Sequence, residues 1–170
     1  MALVGAYLLL ANVTRPDLTY IASQLARFVS NPGIVHYKAA LRVLVYLRTS
    51  ASRVFVIRPI ATRPLCAYLD AEWATRFSIS GGLIAFMSVP IHWYSCTQQS
   101  ISMSSTEAEY VAACAKEVLF FRALLMDLAI HLQGPTRMAT DSKGVVDLAF
   151  DPVAFRKPSI SFAVKSLFVI

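Results

Sequence analysis

Between Arg53 and Thr106 the apolar residues change their period, and this change decides which folds are open to the chain. Upstream the pattern is helical. In DLTYIASQLARFVSN, Leu18, Ile21, Ala22, Leu25, Phe28 and Val29 follow i, i+3, i+4, i+7 spacing, Pro16 and Asp17 mark a start, and Asn31-Pro32-Gly33 marks an end. A second helix is predicted from about Ile34 to Leu47. Its expected core stripe is Ile34, Tyr37, Leu41, Leu44 and Val45, with Lys38 and Arg42 one turn apart on another stripe, placed to meet solvent or phosphates. Within the middle stretch, VFVIRP, LCAYLD, GGLIAFMSV and IHWYSC are short runs rich in β-branched and aromatic residues, cut by Pro, Gly and Ser, which predicts three or four strands. A long helix from about Thr106 to His131, a short strand near Thr136 to Thr140 and a helix from about Ser142 to Ala149 follow. Strands, long helix, strand, helix is an α/β order.

Charge divides the chain as sharply as period does. Residues 1–64 carry +7, residues 65–151 carry −4 and the remainder +3. A basic helical module beside an acidic α/β module suits an enzyme that holds phosphates with one and divalent metal with the other. Charged side chains make up 15% of the chain and apolar ones 56%, which excludes a disordered acidic tail. No stretch reaches the roughly 18 consecutive apolar residues of a spanning helix, and the opening MALVGAYLLLANV lacks the basic start of a secretory signal, so it reads as a core helix and no membrane partner is expected. Cys66, Cys96 and Cys114 are widely spaced and odd in number, which predicts reduced core cysteines in an intracellular chain.

Three elements of the acidic module can supply carboxylates: Asp70 at the end of a strand, a glutamate near the start of the long helix, and Asp141 where the next strand meets a helix. Phosphodiester hydrolysis by two metals roughly 4 Å apart needs such converging acids.

These residues carry a resemblance. YLDAEWA (68–74), SISGG, IHWYSCTQQS, SMSSTEAEYVAA (102–113) and ATDSKGVVDLA (139–149) resemble the ribonuclease H domain of copia-type retrotransposon polyproteins. Upstream, LVGAYLLLANVTRPDLTYIASQLARFVSNPGIVHYKAALRVLVYL resembles the segment that joins reverse transcriptase to that domain. The resemblance implies a helical connecting segment over 1–60 and a ribonuclease H-like domain over 61–170, a mixed five-stranded sheet flanked by helices, originally within a larger polyprotein. It also implies cleavage of the RNA strand of RNA/DNA hybrids with Mg2+ or Mn2+ held by Asp70, Glu109 and Asp141. Glu72 stands where the family has a second aspartate, and Trp73 and Trp93 read as core aromatics rather than base-stacking platforms.

Three departures shape the expected activity. The family's fourth acid falls near Ser161, and no Asp or Glu follows Asp151, so the metal is expected to be weakly held and hydrolysis to suffer more than hybrid binding. Tyr110 and Lys116 are separated by five residues where the family has about seven, and two residues turn a helix by roughly 200°. Glu109 therefore shares a side with Lys116 and Asp127, while Glu107 shares one with Cys114, Val118 and Leu125. The polymerase's paired aspartates are absent, which excludes DNA synthesis by this chain alone. The alternatives to an impaired nuclease are a non-catalytic nucleic-acid-binding module, with Lys38 and Arg42 as phosphate contacts, and a transposon remnant without function.

Overall fold

The computed structural model describes residues 2–54, 56–61, 64–72, 79–97 and 105–140, with the backbone alone for 71–72 and 105–113. Two compact units emerge: Met1–Ile57 with Trp93–Cys96, and Arg58–His92 with Thr97–Ile170.

The first unit is helical. Helix α1 (Ala2–Val13) has no charged residue and buries Tyr7 and Ala11. A 3-10 turn (Pro16–Leu18) leads into α2 (Thr19–Ala26), so the expected single helix is broken into a short turn and a shorter helix. Pro16 fits the first position of the turn, where no backbone donor is required. Leu18, Ala22 and Leu25 are buried as expected, whereas Phe28 lies beyond the helix and stacks on the His36 imidazole at 3.9 Å. His36 also fixes the start of α3 (Ile34–Thr49), where its Nδ1 accepts the Gly33 N–H at 3.0 Å. Trp93, which belongs to this unit, is half-buried and donates its indole N–H to the Ala11 carbonyl.

The expected stripe of α3 is corrected by the structure. Ile34, Tyr37, Leu41, Leu44 and Val45 are all exposed, and the helix buries Ala40 and Val43, with Ala39 and Leu47 packed on the same core. Small side chains let α3 approach closely enough for the Tyr7 hydroxyl to donate to the Ala40 carbonyl at 2.9 Å. That bond ties the small-residue face of α3, Ala39, Ala40 and Val43, to the core of the unit.

Asp17 is the electrostatic tie of this unit. Arg15 donates to it through Nε at 3.0 Å and Nη2 at 2.7 Å, the Tyr46 hydroxyl donates at 2.7 Å, and Arg15 Nη2 also reaches Ser50 Oγ. The Arg15 hydrogen bond, with help from Tyr46, overrides partial burial and holds the Asp17 carboxyl down at about 2 against 3.8. A depressed folded pKa stabilises above the unfolded value and is lost as pH falls through the folded one. The contribution is therefore complete above about pH 5 and mostly lost by about pH 2. Because the side chain is 38% exposed, solvent screening limits it to about 1 kcal/mol. Asp17→Asn is expected to lower urea stability by that amount at pH 7 and to match the parent near pH 2; an equal deficit at both would remove the ion pair as its cause.

Among the described residues the sheet has four strands of the five expected and is mixed, in the order β3-β2-β1-β4, with β1 (Cys66–Glu72), β2 (Ile79–Phe86), β3 (Val89–Thr97) and β4 (Arg137–Thr140); all of it belongs to the second unit except Trp93–Cys96 of β3. β1 pairs antiparallel with β2 and parallel with β4. Met87 and Ser88, both at positive φ, turn β2 into β3. Two successive left-handed residues match the twist of a tight hairpin, so the expected GGLIAFMSV strand ends at Phe86. VFVIRP forms no strand among its described residues: Val54, Val56 and Ile57 are exposed, and Pro59 can give no ladder donor. Helix α4 (Ser105–Asp127) packs against β2. It buries Cys114, Ala115, Val118 and Leu125, and Arg122 donates to the buried Thr136 Oγ1 at 2.8 Å. The buried sheet residues Ala67, Leu69, Ile84 and Met138 share the face of Thr136.

Candidate functional site

Asp70 is the fifth residue of β1, flanked on one side by β2 and on the other by β4. Alternation along β1 decides its direction. Ala67 and Leu69 are buried toward α4, so Asp70 and Tyr68 lie on the opposite, exposed face. Its cross-strand partner is Gly81. On the other side, Leu69 is paired with Thr140, and the residue after each is an aspartate in the sequence, Asp70 and Asp141. Asp141 itself lies outside the described residues, as do Ser161, the helix expected over 142–149 and Trp73.

Glu107 and Glu109 fall in the first turns of α4, where only the backbone is described. The turns beyond them obey the expected wheel: Cys114, Val118 and Leu125 are buried, while Lys116 and Asp127 are exposed. Among the described residues no three His, Cys, Asp or Glu side chains gather as a metal-binding group. Lys38 and Arg42 are exposed on α3, in the other unit. Of the cysteines, Cys114 is buried and Cys66 half-buried, but Cys96 is exposed on β3, which corrects its reading as a core residue. No helix among the described residues is long and apolar enough to cross a membrane. The Arg15–Asp17–Tyr46 network was not legible as a unit, because its third member lies 29 residues from Asp17.

Comparison with known proteins gives these elements a context. The chain is 35% identical over 157 residues to the retrovirus-related Pol polyprotein from transposon RE2 of Arabidopsis thaliana, which covers 89% of this chain. It is 33% identical over 155 residues to the corresponding polyprotein from transposon TNT 1-94 of Nicotiana tabacum. Over most of its length the chain is therefore homologous to a region of the retrovirus-related Pol polyproteins of transposons. It spans 11% of the length of each of these Pol polyproteins. Secreted RxLR effector protein 161 of Plasmopara viticola is 37% identical over 116 residues, which are 66% of this chain and 82% of that protein, so the Pol-related segment also occurs in a short protein. No protein-family profile matches the chain, and no solved structure matches it significantly.

Proposed function

We propose that this Pol-related chain is a ribonuclease H-like module that cleaves the RNA strand of RNA/DNA hybrids slowly. The observation that carries the reading is the central strand: β1, with Asp70 exposed beside Gly81, lies parallel to β4, and Leu69 pairs with Thr140 so that an aspartate follows each. Asp70, Asp141 and Glu109 offer hard oxygen donors, the type that suits Mg2+ or Mn2+. When bound, the metal would polarise water and the scissile phosphate. This chain's own part is to present Asp70 from the exposed face of β1 and to orient the hybrid beside it. Lys38 and Arg42 supply cations for the phosphate backbone, a contribution that added salt weakens.

A short test uses a labelled RNA/DNA hybrid in magnesium. Slow cleavage by the chain as it stands is expected, and Ser161→Asp is expected to raise it by about tenfold or more, because that substitution restores an acid where the resemblance lacks one. No cleavage by either protein, with both folded by circular dichroism, would overturn the reading and leave hybrid binding without catalysis.

A further inference from the structure

A pocket of about 340 Å³ opens in the helical unit, lined by Asp17, Leu18, Ile21, Ala39, Arg42, Val43 and Tyr46. Its walls are aliphatic, from Leu18 and Ile21 on one side to Ala39 and Val43 on the other. Its polar groups are unequal. Asp17 is committed to Arg15 and to the Tyr46 hydroxyl, which offsets its charge and occupies its oxygens. Arg42 makes no hydrogen bond or ion pair among the described residues. Helix α3 carries no acid, and Lys38 stands one turn before Arg42, so the pocket mouth is positive.

We propose that this pocket binds an amphipathic carboxylate, a medium-length aliphatic chain ending in one carboxylate. Small ligand sites combine an apolar cavity of this order with few orienting polar groups, and the pocket has that division of labour. The chain would displace water from Leu18, Ile21, Ala39 and Val43. The carboxylate would receive the two parallel donors of the Arg42 guanidinium, the geometry arginine offers and lysine does not. A bare phosphate or a nucleic-acid backbone satisfies Arg42 but gains nothing from the aliphatic walls.

The experiment titrates the full 170-residue chain with sodium octanoate, 1-octanol and sodium acetate by isothermal calorimetry. Octanoate is expected to bind saturably and about tenfold or more tightly than either control, since one lacks the charge and the other the chain. Arg42→Gln is expected to cost about tenfold of octanoate affinity and Arg42→Lys less, whereas Arg48→Gln, an exposed arginine of the same helix outside the pocket, is expected to cost nothing. Ala39→Phe, which fills the pocket, is expected to weaken octanoate in a protein still folded by circular dichroism. Equal binding of octanol and octanoate, or no saturation, would overturn the proposal. So would an Arg42→Gln protein that keeps its octanoate affinity, because Arg42 would then not hold the carboxylate. None of these outcomes depends on hybrid cleavage.

Discussion

Asp70→Asn is expected to reduce magnesium-dependent cleavage of an RNA/DNA hybrid by about hundredfold or more while leaving hybrid affinity within about threefold. The amide is isosteric with the carboxylate, and Asp70 is exposed on β1, so the substitution removes a charge without opening a cavity. Losing a single preorganised group that acts on developing charge costs about a hundred- to a thousandfold in rate. Binding is different in kind, because phosphate contacts supply most of it, and on the proposed reading these come from Lys38 and Arg42, not from Asp70. Single-turnover cleavage and a hybrid titration, run on the same two proteins, separate the effects. Equal cleavage rates would take Asp70 out of the chemistry, and with it the reading that the hybrid reacts beside β1. A parallel loss of affinity and rate would make Asp70 a residue that shapes the surface.

How much of this was legible in the sequence depends on what set each element. β1 was readable because LCAYLD alternates and its alternate residues bury: Leu65, Ala67 and Leu69 face the core, so Asp70 had to face outward. The long helix was readable from its length, and its buried line through Cys114, Val118 and Leu125 from the 3.6 period. The α3 stripe was misread because periodicity weighs side-chain size, whereas this helix docks through alanines and a tyrosine hydroxyl aimed at a backbone carbonyl. The Met87–Ser88 turn was missed because tight hairpins usually advertise themselves with Asn-Gly or Asp-Gly, and here two ordinary residues are held at positive φ by the strands they join. VFVIRP was misread because strand propensity says nothing about whether an edge is available to pair with; just beyond it, the Ile60 N–H donates to the Met87 carbonyl. The candidate site was legible where it rests on strand register and a motif. The apolar pocket around Arg42 was not, since it is assembled from residues of α3 and the preceding turn and helix that share no sequence pattern.

Ile84→Ala is expected to cost about 2–5 kcal/mol of stability, the largest loss available from one truncation in the sheet. Ile84 is fully buried, and the register places it in a row across three strands: Ile84 on β2, Ala67 on β1 and Met138 on β4. The row is large, small, large. Ala67 at its centre leaves room for Ile84 and Met138 to close over it, beneath a helix whose Cys114 and Val118 are themselves fully buried. Truncating Ile84 would leave two alanines side by side and a void that neither strand can fill, because ladder hydrogen bonds fix both backbones. Ile84→Val removes one methylene and is expected to cost about 0.5–1.5 kcal/mol, which separates graded packing from a general intolerance of substitution. Ala67 precedes Asp70 by three residues on the same strand, so a loosened row also loosens the carboxylate, and a shift of about 1 Å at a reacting group can cost a hundredfold in rate. Urea unfolding of the three proteins, followed by cleavage assays at temperatures where each is folded, tests both steps. A loss below about 1 kcal/mol for Ile84→Ala would mean that the row is not close-packed. A full stability loss with unchanged cleavage by the folded fraction would mean instead that β1 holds Asp70 in place without help from this core.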